Sequence, residues 1–425
     1  MPIKPRLSVL HLLQYAVWGA YLISMGTFLS AHGMASRIGV FYSVQGFVSL
    51  FMPALMGMVA DRWIQAQRLL GACHLISACC MLLLCAYGIL AEEALRFTTL
   101  FGLYACSVFF FMPTIALSYS VSYNALEKEG ADTVKTFPSI RIWGSIGFIA
   151  SMWVVDLGGM QASALQFGWS GMLGLMLGLY AFSMPPCPMS QHRRRGLSDI
   201  LGLRAFRLFR DSRMALFFVF SMLVGICLQI SNGFVNPFLS SFAAIERYAD
   251  TFGVQHANIL ISLSQMSETL CILLIPFFMR RLGAMRVMLI AILSWSLRYG
   301  LLAIGNPGSG VWLFVLSMLL YGVAFDFFHI SGSLFVNAET DASQRSSAQG
   351  LFMMMTNGFG TIVGTLSAQH ILSGLLCLDK PATPADPIAV WQGWSTFWLI
   401  FAAYAFTIAI AFALCFRYHH KPSTR

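Results

Sequence analysis

The chain has 425 residues, 58% of them hydrophobic and only 10% charged, with a mean hydropathy of +0.73. Soluble domains carry about 25% charged residues, so a large soluble core is excluded: there is too little polar sequence to cover it. The net charge of +9 does not build a nucleic-acid-binding face, because the basic residues sit in short gaps between apolar blocks.

Those blocks have the length that crosses a bilayer as helix, about 20 residues. They predict an all-α membrane protein of twelve transmembrane helices, at 7–30, 38–60, 69–91, 97–122, 139–159, 166–185, 214–240, 257–279, 287–304, 310–336, 347–375 and 394–416. The first span has the basic start of a signal peptide, MPIKPRLS. No clear small-x-small cleavage site follows it, and further spans come at once, so it is read as a retained helix. Pro53, Pro113, Pro237 and Pro276 fall within spans, as membrane helices tolerate where neighbours re-satisfy the backbone. The ten cysteines lack zinc-ligand or redox spacing and read as small packing residues.

Basic residues set the topology. Lys4 and Arg6, Arg62 and Arg68, Lys128 and Lys135, Arg280, Arg281 and Arg286, Arg345, and Arg417, Lys421 and Arg425 occupy gaps on one side. The opposite gaps hold only Arg37, Arg96, Arg247 and Lys380. Positive residues stay cytoplasmic, which puts both termini inside. The longest polar stretch, PCPMSQHRRRGLSDILGLRAFRLFRDSR at 186–213, divides six spans from six. It reads as a basic cytoplasmic linker on anionic lipid, joining six-helix bundles at 1–185 and 214–425. Two such halves are the pattern of a transporter with its substrate site near the midplane between them.

Polar residues inside spans carry the functional reading, because ionisable groups there face the bundle interior and are functional by default. Asp326 is near the centre of span ten, in YGVAFDFFHISG, with Tyr321 and Phe325 sharing a face at i and i+4. Glu268 is near the centre of span eight, with Gln265 one turn before it. Span seven carries Gln229 and Asn232 at the same i, i+3 spacing. Amides offer paired donors and acceptors for a ligand rich in amide-like edges and hydroxyls. Span five opens with FPSIRIWGSIGF: Pro138 suits a first helical turn, and Arg141, Ser145 and Phe148 follow on one stripe at i, i+4 and i+7.

Several polar positions have plainer readings. Arg298 ends span nine or pairs with an acid; His329 packs with a hydrogen bond, and His11, His32, His74, His256 and His370 are ordinary helix-end or packing residues. Asp156 is interfacial. Paired amides also serve simply to bond a neighbouring helix. Two mid-membrane carboxylates on different helices of one half are harder to explain structurally. An apolar setting disfavours the charged form, which suits a carboxylate to exchange a proton. Asp326 is therefore expected to carry a coupling proton, with Glu268 sharing that load or accepting bonds from substrate hydroxyls. No metal cluster, nucleophile motif or cofactor motif is apparent, and the proton is the expected coupling ion.

The stretch GMVADRW, with Gly57, Asp61 and Arg62, resembles the G-x-x-x-D-R loop of the major facilitator superfamily; RRLGAMR at 280–286 occupies the equivalent place in the second half. A closer resemblance runs over nearly the whole chain. FMPALMGMVADRW, FPSIRIWGSIGFI, FSMLVGICLQISN, SQMSETLCILLIPFF, YGVAFDFFHISGS and SAQGLFMMMTNGFG look like segments of the bacterial nucleoside:proton symporters of the NupG type. That resemblance implies proton-driven uptake of nucleosides such as uridine and adenosine. It implies substrate contacts at Arg141, Ser145, Phe148, Gln229, Asn232, Gln265, Glu268, Tyr321, Phe325 and Asp326. Ser145 stands where the family has threonine, and His329 where it has asparagine.

The chemistry suits that ligand. Phe148 and Phe325 offer faces for a nucleobase, the amides can read its edge, and Glu268 suits ribose hydroxyls. No phosphate cradle is apparent, which favours nucleosides over nucleotides. The expected protein is thus a monomeric, bacterial inner-membrane symporter working by alternating access. The rival readings on the same fold are a proton-coupled exporter and an uncoupled facilitator of another polar solute. An intramembrane enzyme or receptor has no motif to support it.

Overall fold

The computed structural model describes residues 2–91, 95–188, 203–340, 345–378 and 386–416. Arg193, Arg194, Arg195, Lys380, Arg417, Lys421 and Arg425 lie outside these residues, as does half of the expected linker, residues 189–202. Among the described residues every regular element is helical. Nine helices among the described residues are long and apolar enough to cross a membrane. The chain divides into two compact units: Met1–Leu201 with Asn232–Pro237, and Gly202–Ser231 with Phe238–Arg425.

The first unit contains α1 (Ile3–Gly19), α2 (Met25–Ala31), α3 (Ile38–Arg62), α4 (Ala66–Ala91), α5 (Phe97–Lys128), α6 (Thr133–Leu157) and α7 (Leu165–Ala181). The expected first span is broken at residues 20–24. There the backbone tightens, with Tyr21 N bonded to Trp18 O at 3.3 Å, and the Leu22 carbonyl accepts instead from the Tyr42 hydroxyl. α6 starts six residues earlier than expected, because Asp132 caps it by accepting from Lys135 N at 3.2 Å. Pro138 therefore lies in the second turn of the helix, not the first. Asp156, at the end of α6, is 4% exposed. The chain reverses after it through Gly159, at φ +64°, and Gln161 Nε2 returns to donate to its carboxylate at 2.9 Å.

The second unit contains α8 (Ser212–Ser241), α9 (Ala257–Ile304), α10 (Val311–Glu339), α11 (Arg345–Met353), α12 (Gly360–Leu376) and α13 (Pro387–Cys415). Asp211 caps α8, accepting from Arg213 N at 2.8 Å and Met214 N at 3.0 Å. The expected gap at 280–286 is almost wholly helical. Only Gly283 leaves the helix, at φ +78°, a conformation that suits glycine, and it divides α9 into 257–282 and 284–304. A π-helical turn, Met354–Phe359, joins α11 to α12, a device that shifts the facing side chains within a span.

Large apolar side chains point outward from both units, such as Leu90 at 85% and Leu273 at 72% exposed. On helices of this length such a shell suits lipid rather than water. Inside, the first unit buries a polar network. His74 Nε2 meets Gln14 Oε1 at 2.8 Å, Gln14 Nε2 donates to Thr114 Oγ1 at 2.8 Å, and His11 Nε2 meets Ser122 Oγ at 2.9 Å. The second unit buries aromatics, among them Tyr299 stacked on Trp398 with ring centroids 5.5 Å apart.

Candidate functional site

In the first unit, glycines set how closely α1 and α6 approach. A Cβ on Gly147 would fall 2.8 Å from the carbonyl carbon of Leu12, and one on Gly19 2.9 Å from Phe148 Cα. With both positions bare the helices touch backbone to backbone, and the stripe Arg141, Ser145 and Phe148 is fixed against α1. Phe148 is 6% exposed and meets Trp18 edge to face at 6.3 Å. Ser145 is half-buried one turn from Arg141. The Arg141 guanidinium lies over the Tyr15 ring, 3.9 Å from its centroid, and its Nε donates to the Tyr119 hydroxyl at 2.9 Å.

In the second unit the equivalent close approach joins α9 to α10. A Cβ on Gly322 would sit 2.5 Å from the backbone of Ser267, whose hydroxyl bonds the Leu319 carbonyl. This places Tyr321 against the polar face of α9. The Tyr321 hydroxyl lies beside Gln265 and within electrostatic reach of Glu268, Asp326 and Arg298. Phe325 stacks on Tyr321 at 5.9 Å and 23°, as their i, i+4 spacing predicts, and the His329 ring lies 4.4 Å from Phe325. Asp326 is 4% exposed. Gln229 and Asn232 are both half-buried on α8; Asn232 falls in the stretch that belongs to the first unit.

So the structure brings Gln265, Glu268, Tyr321, Phe325 and Asp326 together in one unit, and Arg141, Ser145 and Phe148 together in the other. Two neighbours escaped the sequence reading, Tyr15 and Tyr119, which hold Arg141. Arg298 was read from the sequence, but not its place behind Tyr321. Arg298 neither ends its helix, which runs to Ile304, nor pairs with an acid among the described residues. It is 1% exposed, donates to the Ser317 carbonyl and to Ser231 Oγ at 2.9 Å, and covers the Tyr321 ring at 5.1 Å. A mid-span arginine was the available signal; its partners, 19 and 67 residues away, were not. Among the described residues no group of three or more His, Cys, Asp or Glu is arranged to hold a metal ion.

Residues 1–421 match the family described as Nucleoside H+ symporter. The chain is 42% identical to the xanthosine permease of Escherichia coli K12, over 99% of this chain and 98% of that one. It is 43% identical to the nucleoside permease NupG of the same organism, over 99% and 97%. A crystal structure of the nucleoside transporter NupG, in a mutant form, superposes with a TM-score of 0.89 at 42% identity, covering 98% of this chain and 100% of that one. The chain is a member of the nucleoside H+ symporter family, a membrane transporter with a fold of the major-facilitator kind and not an enzyme.

Proposed function

We propose that the protein imports nucleosides such as uridine and adenosine together with protons, across a bacterial inner membrane, by alternating access. The helices are read as twelve spans in two six-helix bundles, 1–185 and 214–425, joined by the basic linker 186–213. In that reading α1 with α2 form one span, α9 supplies two on either side of Gly283, and α11 with α12 form another. Both termini are cytoplasmic, the working unit is a monomer, and no cofactor takes part beyond the coupling proton.

The observation that carries the coupling is the pair of carboxylates, Glu268 and Asp326, on two helices of one unit, both within electrostatic reach of Tyr321. Asp326, the more deeply buried, takes the proton. Glu268 shares the load or accepts from ribose hydroxyls. Phe148 and Phe325 hold the base, Gln229, Asn232 and Gln265 read its edge, and Arg141, Ser145 and Tyr321 complete the contacts. Proton and nucleoside stabilise the same occluded state, so each raises the apparent affinity for the other.

The test is radiolabelled uridine and adenosine uptake at acidic and alkaline external pH, with and without a protonophore. Accumulation that strengthens in acid and collapses with the protonophore supports the symporter. Saturable uptake indifferent to both would make the protein a facilitator, and the assignment of Asp326 would fall.

A further inference from the structure

Arg141 is held in a way that an arginine on a single helix cannot achieve by itself. Three elements converge on it. From α5, the Tyr119 hydroxyl accepts from Arg141 Nε at 2.9 Å. From α1, the Tyr15 ring lies under the guanidinium at 3.9 Å. The two tyrosine hydroxyls share a hydrogen bond of 2.8 Å, so the plate and the hook are themselves joined. On α6, Gly144 leaves the space the guanidinium fills: a Cβ there would come within 2.8 Å of Arg141 Nη1 and 2.7 Å of Tyr15 Cδ2.

Tyr119 is anchored in turn. Its ring packs on Phe137 at 5.3 Å and on His11 at 5.6 Å. His11 Nε2 lies 2.9 Å from Ser122 Oγ, and Ser122 donates its own proton to the Ser118 carbonyl at 2.8 Å. The histidine is therefore the donor in that bond, which fixes its ring.

A free arginine has large rotamer entropy, and ordering it on binding weakens the complex. An aromatic face sets the plane of a guanidinium, and a hydroxyl on Nε sets its rotation within that plane. Together they aim the outer edge, the pair of Nη groups, in one direction before any ligand arrives. That edge suits the oxygen acceptors of a nucleoside, its carbonyls and hydroxyls.

We propose that Tyr15 and Tyr119 are positioning residues that pre-orient Arg141 for the nucleoside. The proposal rests on the reading of Arg141 as a substrate contact. Neither tyrosine need touch the ligand; both act through the arginine.

The test uses the purified full-length protein and equilibrium binding of radiolabelled uridine and adenosine. The variants are Tyr119→Phe, Tyr15→Phe, Arg141→Gln and the double variant Tyr119→Phe with Arg141→Gln. Each tyrosine variant removes one oxygen and keeps the ring, so thermal melting should match the wild type. Tyr119→Phe should weaken binding about tenfold, the lower end of the scale of one hydrogen bond to a charged group. In reconstituted vesicles the same variant should raise KM with little change in maximal rate. In the double variant the loss should equal that of Arg141→Gln alone, because a positioning residue has nothing left to position. Wild-type affinity in Tyr119→Phe beside a weakened Arg141→Gln overturns the positioning role and leaves the contact standing. Additive losses mean that Tyr119 contacts the ligand itself, which also overturns it. Wild-type affinity in Arg141→Gln overturns the contact, and the positioning role with it.

Discussion

Placing a methyl group at Gly322 tests whether the close approach of α9 and α10 sets the geometry around Tyr321. In Gly322→Ala the new Cβ would lie 2.5 Å from the carbonyl carbon and oxygen of Ser267 and 2.6 Å from its Oγ. Non-bonded carbon contacts settle near 3.5–4.0 Å, so relief requires the helices to part by about 1 Å. Two of the three clashing atoms are backbone and cannot rotate away. Overpacking of this kind costs about 1–3 kcal/mol, and backbone contacts belong at the upper end. The better helix propensity of alanine returns about 1 kcal/mol. The net loss is about 2 kcal/mol, a fall in Tm of about 4 °C. The same separation acts on binding. Gly322 follows Tyr321, and Ser267 lies between Gln265 and Glu268, so the parting would carry the Tyr321 hydroxyl about 1 Å away from the Gln265 and Glu268 side chains beside it. Losing about 1.4 kcal/mol there is a tenfold loss of affinity. Thermal melting and equilibrium uridine binding on purified protein measure both. Gly102→Ala is the control, since nothing lies within 4 Å of its Cβ; it should melt no lower than the wild type. If Gly322→Ala melts and binds as the wild type does, the packing argument is wrong. If it melts lower yet binds normally, Tyr321 is not held by this contact.

Three further outcomes follow from the same geometry. Asp326→Asn should still bind uridine and exchange it across vesicles, but should neither accumulate it nor respond to external pH; accumulation that a protonophore still abolishes would remove Asp326 from the coupling. Glu268→Gln should weaken uridine binding about tenfold, the scale of hydrogen bonds to a charged acceptor, while leaving 2′,3′-dideoxyuridine binding unchanged; equal losses for both ligands would detach Glu268 from the ribose. Arg298→Lys keeps the charge but not the planar fork that bridges Ser231 and Ser317 while covering the Tyr321 ring, so uridine affinity should fall about fivefold with the fold intact. Unchanged affinity would mean that the ring needs no support from behind.

What the sequence disclosed depended on distance along the chain. Contacts within one helix were legible from spacing alone. Tyr321 and Phe325, four residues apart, stack as expected, and Arg141, Ser145 and Phe148 form the expected stripe. Contacts between helices were not legible. The Tyr15 and Tyr119 hydroxyls meet across 104 residues, with no local signal to join them. Arg298 was visible as an unusual charge, but its bond to Ser231 spans 67 residues, and the sequence left an acid as the natural partner. Breaks within spans were hidden for another reason. The hydrophobic run through residues 20–23 is unbroken, and the π-helical turn at Met354–Phe359 lies inside one long apolar span, marked only by Thr356, Asn357 and Gly358. Hydropathy reports what surrounds a segment, whereas these breaks depend on which polar neighbour takes an orphaned carbonyl, as Tyr42 does for Leu22.

The two units solve one physical problem in the same way. Lipid tails are as apolar as the helices they surround, so burial of apolar surface does little to press one membrane helix onto another. Close packing and interhelical hydrogen bonds must hold the polar side chains in place. Each candidate group sits beside a glycine that lets two backbones touch: Gly19 and Gly147 beside Arg141, Ser145 and Phe148, and Gly322 beside Tyr321. A polar interaction then locks each contact, Arg141 over the Tyr15 ring in one unit and Ser267 bonded to the Leu319 carbonyl in the other. A backbone contact has no rotamers and cannot relax by turning a side chain. Groups mounted on it keep their aim when one surface moves against another, as alternating access requires. The glycines and the polar residues therefore form one functional set. A substitution at a glycine that touches no ligand should weaken transport as much as the loss of a ligand contact.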